Sequence, residues 1–285
     1  MSDPDIQAFK SHPRSFEDNL YAYPVLSRRA TGLSVGINLS PHKACNMDCV
    51  YCQVDRLVKP AVRTVDLDRM EQELTELLGR AASGEIFLVE PFASAPESLH
   101  RLADVAFSGD GEPTSFRGFF EACRRVVRAK AAAKVPEAPV RVITNAIDLD
   151  REEVVKALAY LDENGGEIWA KLDAGTPEYF DRVARTKTSF KKVLANLLAT
   201  AKVRPLTIQA LFPRLAGEDP PKTEIEAWIA RLEEILAGGG RLSLVQVHTV
   251  ARPPAESFVG AVEHSVLVEI AELVTARTGI PAEVY

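Results

Sequence analysis

The apolar positions of this chain alternate between short runs of strand character and longer segments with a helical period. The predicted strands are Leu33–Leu39, Ala103–Ser108, Val140–Thr144, Ile168–Asp173, Leu206–Phe212 and Leu242–Val250, with a short last strand at Ala282–Tyr285. The predicted helices are Asp68–Arg80, Phe116–Ala133, Arg151–Asp162, Pro177–Ala184, Ser189–Lys202, Thr223–Ala237 and Ser265–Thr278. Because strand and helix alternate strictly, we predict an α/β fold with a mostly parallel sheet and right-handed crossovers.

The number of strand–helix units indicates how such a sheet closes. Six to seven units are too few for a closed barrel of eight strands. We therefore predict a partial (β/α)6 barrel of the TIM type. Residues 1–32 have weak periodicity and several prolines, so we expect an N-terminal lead-in segment there and one domain over residues 33–285.

Polar residues collect near the carboxyl ends of the predicted strands. In each strand one set of alternate residues is apolar and is expected to pack against helices. The other set becomes polar at Asn145, Lys171, Asp173, Gln209, Gln246 and His248. Buried polar groups need partners, so a polar ring at one end of a barrel indicates a lined cavity. Active sites of such barrels lie at this end.

Composition and charge narrow the class of protein. The 285 residues are 46% hydrophobic and 26% charged, which is ordinary for a globular protein. A net charge of −6 argues against a surface that binds nucleic acid throughout. The N-terminus is polar, and no apolar run approaches the roughly 20 residues that span a bilayer. We expect a cytoplasmic protein with no membrane partner, in which thiols stay reduced.

Three of the four cysteines, Cys45, Cys49 and Cys52, form a C-x3-C-x2-C cluster directly after the first predicted strand. The fourth, Cys123, lies in a helical pattern and is expected in the core. Three thiolates on a 4Fe-4S cluster would leave one iron open to a small molecule. Alternatively, His42 with the three cysteines could form a Cys3His zinc site. Zinc would explain the loop but not the polar ring.

The residues around these cysteines resemble the radical S-adenosylmethionine (SAM) superfamily, in which an aromatic residue, here Tyr51, precedes the last cysteine. The stretches 36–39 and 49–53 resemble a narrower group, the bacterial relatives of wyosine-type tRNA-modifying enzymes. The resemblance implies one 4Fe-4S cluster whose open iron is chelated by SAM. Reductive cleavage of SAM then gives methionine and a 5′-deoxyadenosyl radical. Wyosine-forming enzymes carry further upstream cysteines, whereas residues 1–44 have none.

A second motif follows the second predicted strand, where Ser108-Gly109-Asp110-Gly111-Glu112 resembles the Gly-Gly-Glu motif that holds the SAM amino group in the family. Two glycines there would let the backbone approach a ligand closely. The resemblance also places Asn145 at the SAM ribose. The cofactor residues that it implies are Tyr51, Gly109, Gly111, Glu112 and Asn145.

The remaining strand ends are expected to hold the substrate, with Lys171, Asp173, Gln246 and His248 as catalytic candidates. Arg252 lies at the rim of the predicted cavity. The basic members of this group favour an anionic small molecule, and tRNA is the other candidate substrate. A flavodoxin or ferredoxin-type protein is the expected electron donor. We thus predict a radical SAM enzyme, an oxidoreductase or a transferase, with two alternatives: a tRNA purine-modifying enzyme or a zinc-binding module.

Overall fold

The computed structural model describes residues 16–60, 62–254 and 256–285, and its helices and strands confirm the predicted α/β class and mostly parallel strand arrangement. The strands are β1 Ala22–Ser27, β2 Gly32–Asn38, β3 Leu102–Ser108, β4 Val140–Thr144, β5 Gly166–Lys171, β6 Leu206–Leu211, β7 Pro213–Leu215, β8 Leu242–His248, β9 Val259–Ala261 and β10 Ala282–Val284. The α-helices are α1 Leu67–Ser83, α2 Phe119–Ala132, α3 Glu152–Asp162, α4 Pro177–Ala184, α5 Phe190–Val203, α6 Lys222–Ala237 and α7 His264–Thr278. Short 3-10 helices occupy Glu85–Leu88, Glu97–Leu99 and Pro113–Ser115.

The chain divides into two compact units. The first unit consists of the described residues up to Cys45, with Arg56–Ile143 and Arg151–Glu167. The second unit consists of Asn46–Asp55, Thr144–Asp150 and Ile168–Tyr285. The assignment of residues 33–285 to one domain stays a prediction.

In the first unit, β2 pairs in parallel with β3, and β3 pairs in parallel with β4. The alternate apolar residues predicted to pack inside, such as Val35 and Phe107, are fully buried. Strand β1 pairs antiparallel with β2 and was not predicted, since Pro24 interrupts its pattern. Proline is tolerated because β1 is an edge strand. The buried carboxylate of Glu73 fixes its start by accepting from the backbone N–H groups of residues 20–22.

In the second unit, β6 pairs in parallel with β5 and β8, and β10 pairs in parallel with β8. Helices α5 and α6 bury their apolar faces, with Trp228 of α6 fully enclosed. Strands β7 and β9 form a separate antiparallel pair that the sequence pattern did not predict, because each has only three residues. Among the described residues, no helix combines the length and apolar character that crossing a bilayer requires.

Candidate SAM and cluster site

The segment that carries the cysteines, residues 39–55, leaves the carboxyl end of β2 and is called the cysteine loop below. The glycine turn, residues 108–114, leaves the carboxyl end of the neighbouring β3. Asn38, the last residue of β2, joins the two. Its Oδ1 accepts from the backbone N–H of Ser40 at 3.0 Å and of Asp110 at 3.2 Å. Its Nδ2 donates to the Asp110 carboxylate at 2.8 Å. One buried amide therefore fixes the starts of both segments.

Both glycines of the turn are required by close backbone approach. Gly109 has φ +142°, and a Cβ there would lie 2.6 Å from Asn38 Oδ1. A Cβ on Gly111 would lie 2.2 Å from the carbonyl oxygen of Ala44, the residue before Cys45. Real Cβ atoms do not approach that closely, so only glycine lets the turn pack on the cysteine loop.

Glu112 lies within the glycine turn, and its side chain is buried. Its Oε1 accepts from the Thr114 backbone N–H at 3.1 Å and from the Thr114 hydroxyl at 2.5 Å. The carbonyl of Thr114 in turn accepts from Arg151 at 2.8 Å. A carboxylate held on one side in this way is kept in a fixed orientation. Its predicted contact with the SAM amine stays a prediction.

The three loop cysteines are each partly exposed, whereas Cys123 is fully buried in α2, as predicted. Burial raises the pKa of the Cys123 thiol well above its usual value, which disfavours the thiolate that a metal would need. Cys49 Sγ lies 3.9 Å from Met47 Sδ, and the Cys52 N–H donates to the Cys49 carbonyl at 2.9 Å.

The donor set of the loop fits a three-thiolate site by its chemistry. Across the described residues, no three His, Cys, Asp or Glu side chains are grouped closely enough to hold a metal ion as they stand. His42, the fourth ligand of the alternative zinc site, is exposed, and its Nδ1 accepts from the Ala44 N–H at 3.0 Å.

The second half of the cysteine loop is fixed within the second unit. The N–H groups of Asp48 and Val50 each donate at 3.0 Å to carbonyls at the end of α4. Asn145, which follows β4, donates from Nδ2 to Asn46 Oδ1 at 2.6 Å and accepts from the Ile147 N–H at 3.1 Å. The predicted ribose contact of Asn145 stays a prediction. The same side chain holds the cysteine loop through its hydrogen bond to Asn46.

Tyr51, Lys171 and Asp173 form one buried network. The Tyr51 hydroxyl donates to Asp173 Oδ2, and Lys171 Nζ lies 3.2 Å from the same oxygen. The ammonium also lies over the Tyr51 ring, 5.1 Å from its centre, in a cation–π arrangement. The other Asp173 oxygen accepts from the Leu211 N–H at 2.8 Å. Burial, followed by the charge of Asp173, raises the pKa of Tyr51 well above 10.

A cavity in the second unit brings several predicted residues together. The side chains of Tyr51, Asn145, Lys171 and Asp173 line it. Its apolar wall is formed by Met47, Leu172, Phe180, Val183, Ala184 and Val193. The space inside is about 10 Å³, room for about one water molecule, so the residues predicted for SAM and for substrate are neighbours here around a small gap.

Gln209 and Gln246 lie opposite each other in the β6–β8 register, as the predicted polar face requires. Gln209 Nε2 donates to Gln246 Oε1 at 2.8 Å, and both residues are buried. Lys171 is the register partner of Gln209 in β5, so the three side chains lie on one face. His248 is partly exposed, with Nδ1 3.3 Å from the Gln246 carbonyl, and the Arg252 carbonyl accepts from Gln53 at 3.0 Å.

Glu224 of α6 is a positioning residue that the sequence did not reveal. Its buried carboxylate accepts from the Gly175 N–H and, at 2.6 Å, from the Thr176 hydroxyl. Trp228, one turn further along α6, donates to the Leu172 carbonyl at 2.8 Å. These bonds fix the loop that carries Asp173. A lone glutamate in an amphipathic helix gives no sequence signal for this role.

Comparison with known proteins identifies the family. The family model described as the radical SAM superfamily matches residues 39–223, about two thirds of the chain. The chain is 26% identical over 182 residues to a protein named GTPase Obg of Brachyspira hyodysenteriae, covering 63% of this chain and 23% of that protein. It is 24% identical over 233 residues to a UPF0026 protein of Helicobacter pylori strain 26695, covering 81% of this chain and 66% of that protein. The chain thus spans less than two thirds of the length of these relatives.

Among solved structures, a radical SAM methyltransferase from Sphaerobacter thermophilus matches with a TM-score of 0.61 and 16% identity. The match covers 93% of this chain and 68% of that one. At this identity the likeness shows the fold, and it confirms the predicted partial-barrel class. The family match runs from the cysteine loop through β7, so it includes both the cysteine loop and the glycine turn. On this evidence, the chain belongs to the radical SAM superfamily.

Proposed function

We propose that this chain is an enzyme that binds one 4Fe-4S cluster through Cys45, Cys49 and Cys52 and binds SAM at the open iron. When bound, the cluster would supply the electron that cleaves SAM to methionine and a 5′-deoxyadenosyl radical. That radical would act on a substrate not yet identified.

The observation that carries this proposal is the joint between the cysteine loop and the glycine turn. Asn38 bonds the first residues of both segments, and Gly111 packs against the carbonyl that precedes Cys45. SAM must contact the cluster and the amine-binding motif at the same time, so the cysteine loop and the glycine turn must be held in fixed positions relative to each other. The structure supports this requirement with backbone contacts that leave no room for a side chain at residue 111.

We also propose roles for the other predicted site residues. We assign Tyr51, Gly109, Gly111, Glu112 and Asn145 to SAM. Lys171, Asp173, Gln246 and His248 are assigned to the substrate. Because Lys171 is paired with Asp173, an anionic group would have to compete with that carboxylate for the ammonium. Radical abstraction requires the substrate hydrogen to be held close to the adenosyl carbon, since a loosely held radical reacts elsewhere.

Three further features belong to the proposal. The electron donor is a flavodoxin or ferredoxin-type protein, and the location is the cytoplasm. Whether the reaction is an oxidoreduction or a group transfer depends on the substrate. The second candidate function is modification of a tRNA purine. It is favoured by the sequence Gly-Glu-Pro-Thr at residues 111–114, which resembles the wyosine branch. Against it, residues 1–44 lack the cysteines for the second cluster of that branch.

Anaerobic reconstitution with iron and sulfide tests the proposal. We expect four irons and four sulfides per chain, and loss of both when Cys45, Cys49 or Cys52 is replaced by Ala. The matched control is Cys123→Ala, which leaves the cluster content unchanged because that thiol is buried in α2. One zinc per chain with no iron, dependent on His42, would replace the proposal with the Cys3His site.

A further inference from the structure

The segment that follows the cysteine loop exposes two large apolar side chains in succession. Leu57 is 97% exposed and Val58 is 56% exposed. In the described part of the chain, the other exposed large apolar residues stand singly in the sequence: Leu88, Val155, Val203, Phe258 and Leu273. Single exposed apolar residues are normal, whereas a contiguous exposed apolar patch with a polar rim marks an interaction site, and this pair is the start of such a patch.

This segment is fixed against the start of the cysteine loop, and both belong to the first unit. Arg56 Nε donates to the Lys43 carbonyl at 3.1 Å, and Lys43 Nζ donates to the Val58 carbonyl at 3.2 Å. Lys43 precedes Cys45 by two residues, which limits their Cα atoms to about 7 Å apart. The segment that carries the apolar pair is therefore bonded to Lys43, two residues before the first predicted cluster ligand.

The rim of this surface is basic although the chain is acidic. The net charge is −6, yet residues 55–63 carry three bases, Arg56, Lys59 and Arg63, against one acid, Asp55. Lys43 adds a fourth base through its bonds to the segment. An acidic partner would be attracted to this locally basic segment of a chain whose net charge is negative, which would orient its approach.

We infer that Lys43, Arg56, Leu57, Val58, Lys59 and Arg63 form a docking surface for a small acidic one-electron carrier. The inference rests on the proposed function, because only a redox cluster needs such a partner. One electron would pass from the reduced carrier to the cluster. The carrier is thereby oxidised by one electron and the cluster is reduced by one electron, and no bond breaks. RNA is disfavoured as the occupant because the surface centres on two aliphatic side chains and has no aromatic side chain for base stacking.

Direct binding of a bacterial flavodoxin to the full chain without a cluster tests the surface separately from catalysis. The double variant Lys59→Glu/Arg63→Glu should weaken the measured Kd by roughly tenfold or more at low salt. Both of these side chains are exposed, so the change alters the surface charge without disturbing the core. Leu57→Ser should also weaken binding while leaving its dependence on salt unchanged. The control Lys191→Glu/Lys202→Glu makes the same change in charge at exposed positions of α5 and should bind as the parent does.

A second readout compares two reductants with the cluster in place. The Lys59→Glu/Arg63→Glu variant should lose most SAM cleavage driven by reduced flavodoxin and keep cleavage driven by dithionite, which needs no docking. Flavodoxin binding equal in this variant, the parent and the control would overturn the docking surface. If the Lys59→Glu/Arg63→Glu variant loses tRNA binding and keeps flavodoxin binding, the docking surface is an RNA-binding surface and the inference is wrong. Failure of the parent to cleave SAM with dithionite would refute the proposed function, while the binding experiment would still judge the surface.

Discussion

Removing the Asp173 carboxylate should destabilise the second unit, because three groups depend on it. The Leu211 N–H would lose its acceptor, and because this hydrogen bond is only partly buried, the cost is about 1 kcal/mol. The Lys171 ammonium would lose its counter-charge, and breaking a buried pair costs about 3–5 kcal/mol. The Lys171 side chain is 21% exposed, so water offsets part of that second cost. For Asp173→Ala we therefore expect a loss of about 3–5 kcal/mol.

Asp173→Asn separates charge from hydrogen bonding. Its amide oxygen can still accept from the Leu211 N–H, but its NH2 group would replace the oxygen that faces Lys171 and Tyr51. The counter-charge of Lys171 and the acceptor of the Tyr51 hydroxyl are then both lost, and we expect a cost of about 2–3 kcal/mol. The free energy of unfolding in urea, measured on protein without a cluster, gives both values. Asp181→Ala is the matched control, since Asp181 is exposed on α4 and should stay within about 0.5 kcal/mol of the parent. If Asp173→Ala is as stable as the control, the network around Tyr51 does not form.

Three further predictions concern the same site. Gly111→Ala should lower iron content after reconstitution because its Cβ would lie 2.2 Å from a backbone oxygen of the cysteine loop; Gly79→Ala, with nothing within 4 Å, should retain full iron content. The pKa of Tyr51 is raised in the folded chain. The stability that Tyr51 contributes is therefore complete while the pH is below about 10, the ordinary pKa of tyrosine, and it falls as the pH rises further. Tyr51→Phe should lessen the loss of stability at alkaline pH. It should leave unchanged the tyrosinate absorbance that the protein gains near pH 10, and a smaller gain of absorbance in the variant would contradict the raised pKa. Gln246→Ala and His248→Ala should keep uncoupled SAM cleavage and abolish turnover of the substrate; unchanged turnover in His248→Ala would leave that histidine a structural role.

The fold was largely predictable because strands and helices with clear periods encode it locally. Strand β4 and helix α4 have the predicted bounds, and the other predicted elements agree within a few residues. The missed elements are β1, β7 and β9, which are edge or three-residue strands whose pairing depends on distant partners. Periodicity within a short segment cannot report such pairing.

The candidate site was predictable where a local motif specifies it. The three cysteines and the glycine turn are contiguous motifs, so the sequence reveals their resemblance to the family, whereas the cysteine spacing by itself also fits a Cys3His zinc site. The roles of Asn38 and Glu224 are different, since each bonds backbone groups that the fold alone brings near. The hydrogen bond from Asn145 to Asn46 was hidden for the same reason.

Formation of 5′-deoxyadenosine tests the central claim most directly. The anaerobically reconstituted chain, given SAM and dithionite, should release 5′-deoxyadenosine and methionine in equal amounts even without substrate. Cys49→Ala should release neither, and Cys123→Ala should match the parent. A chain that holds a full complement of iron and sulfide, takes up an electron from dithionite and still leaves SAM intact would contradict the account.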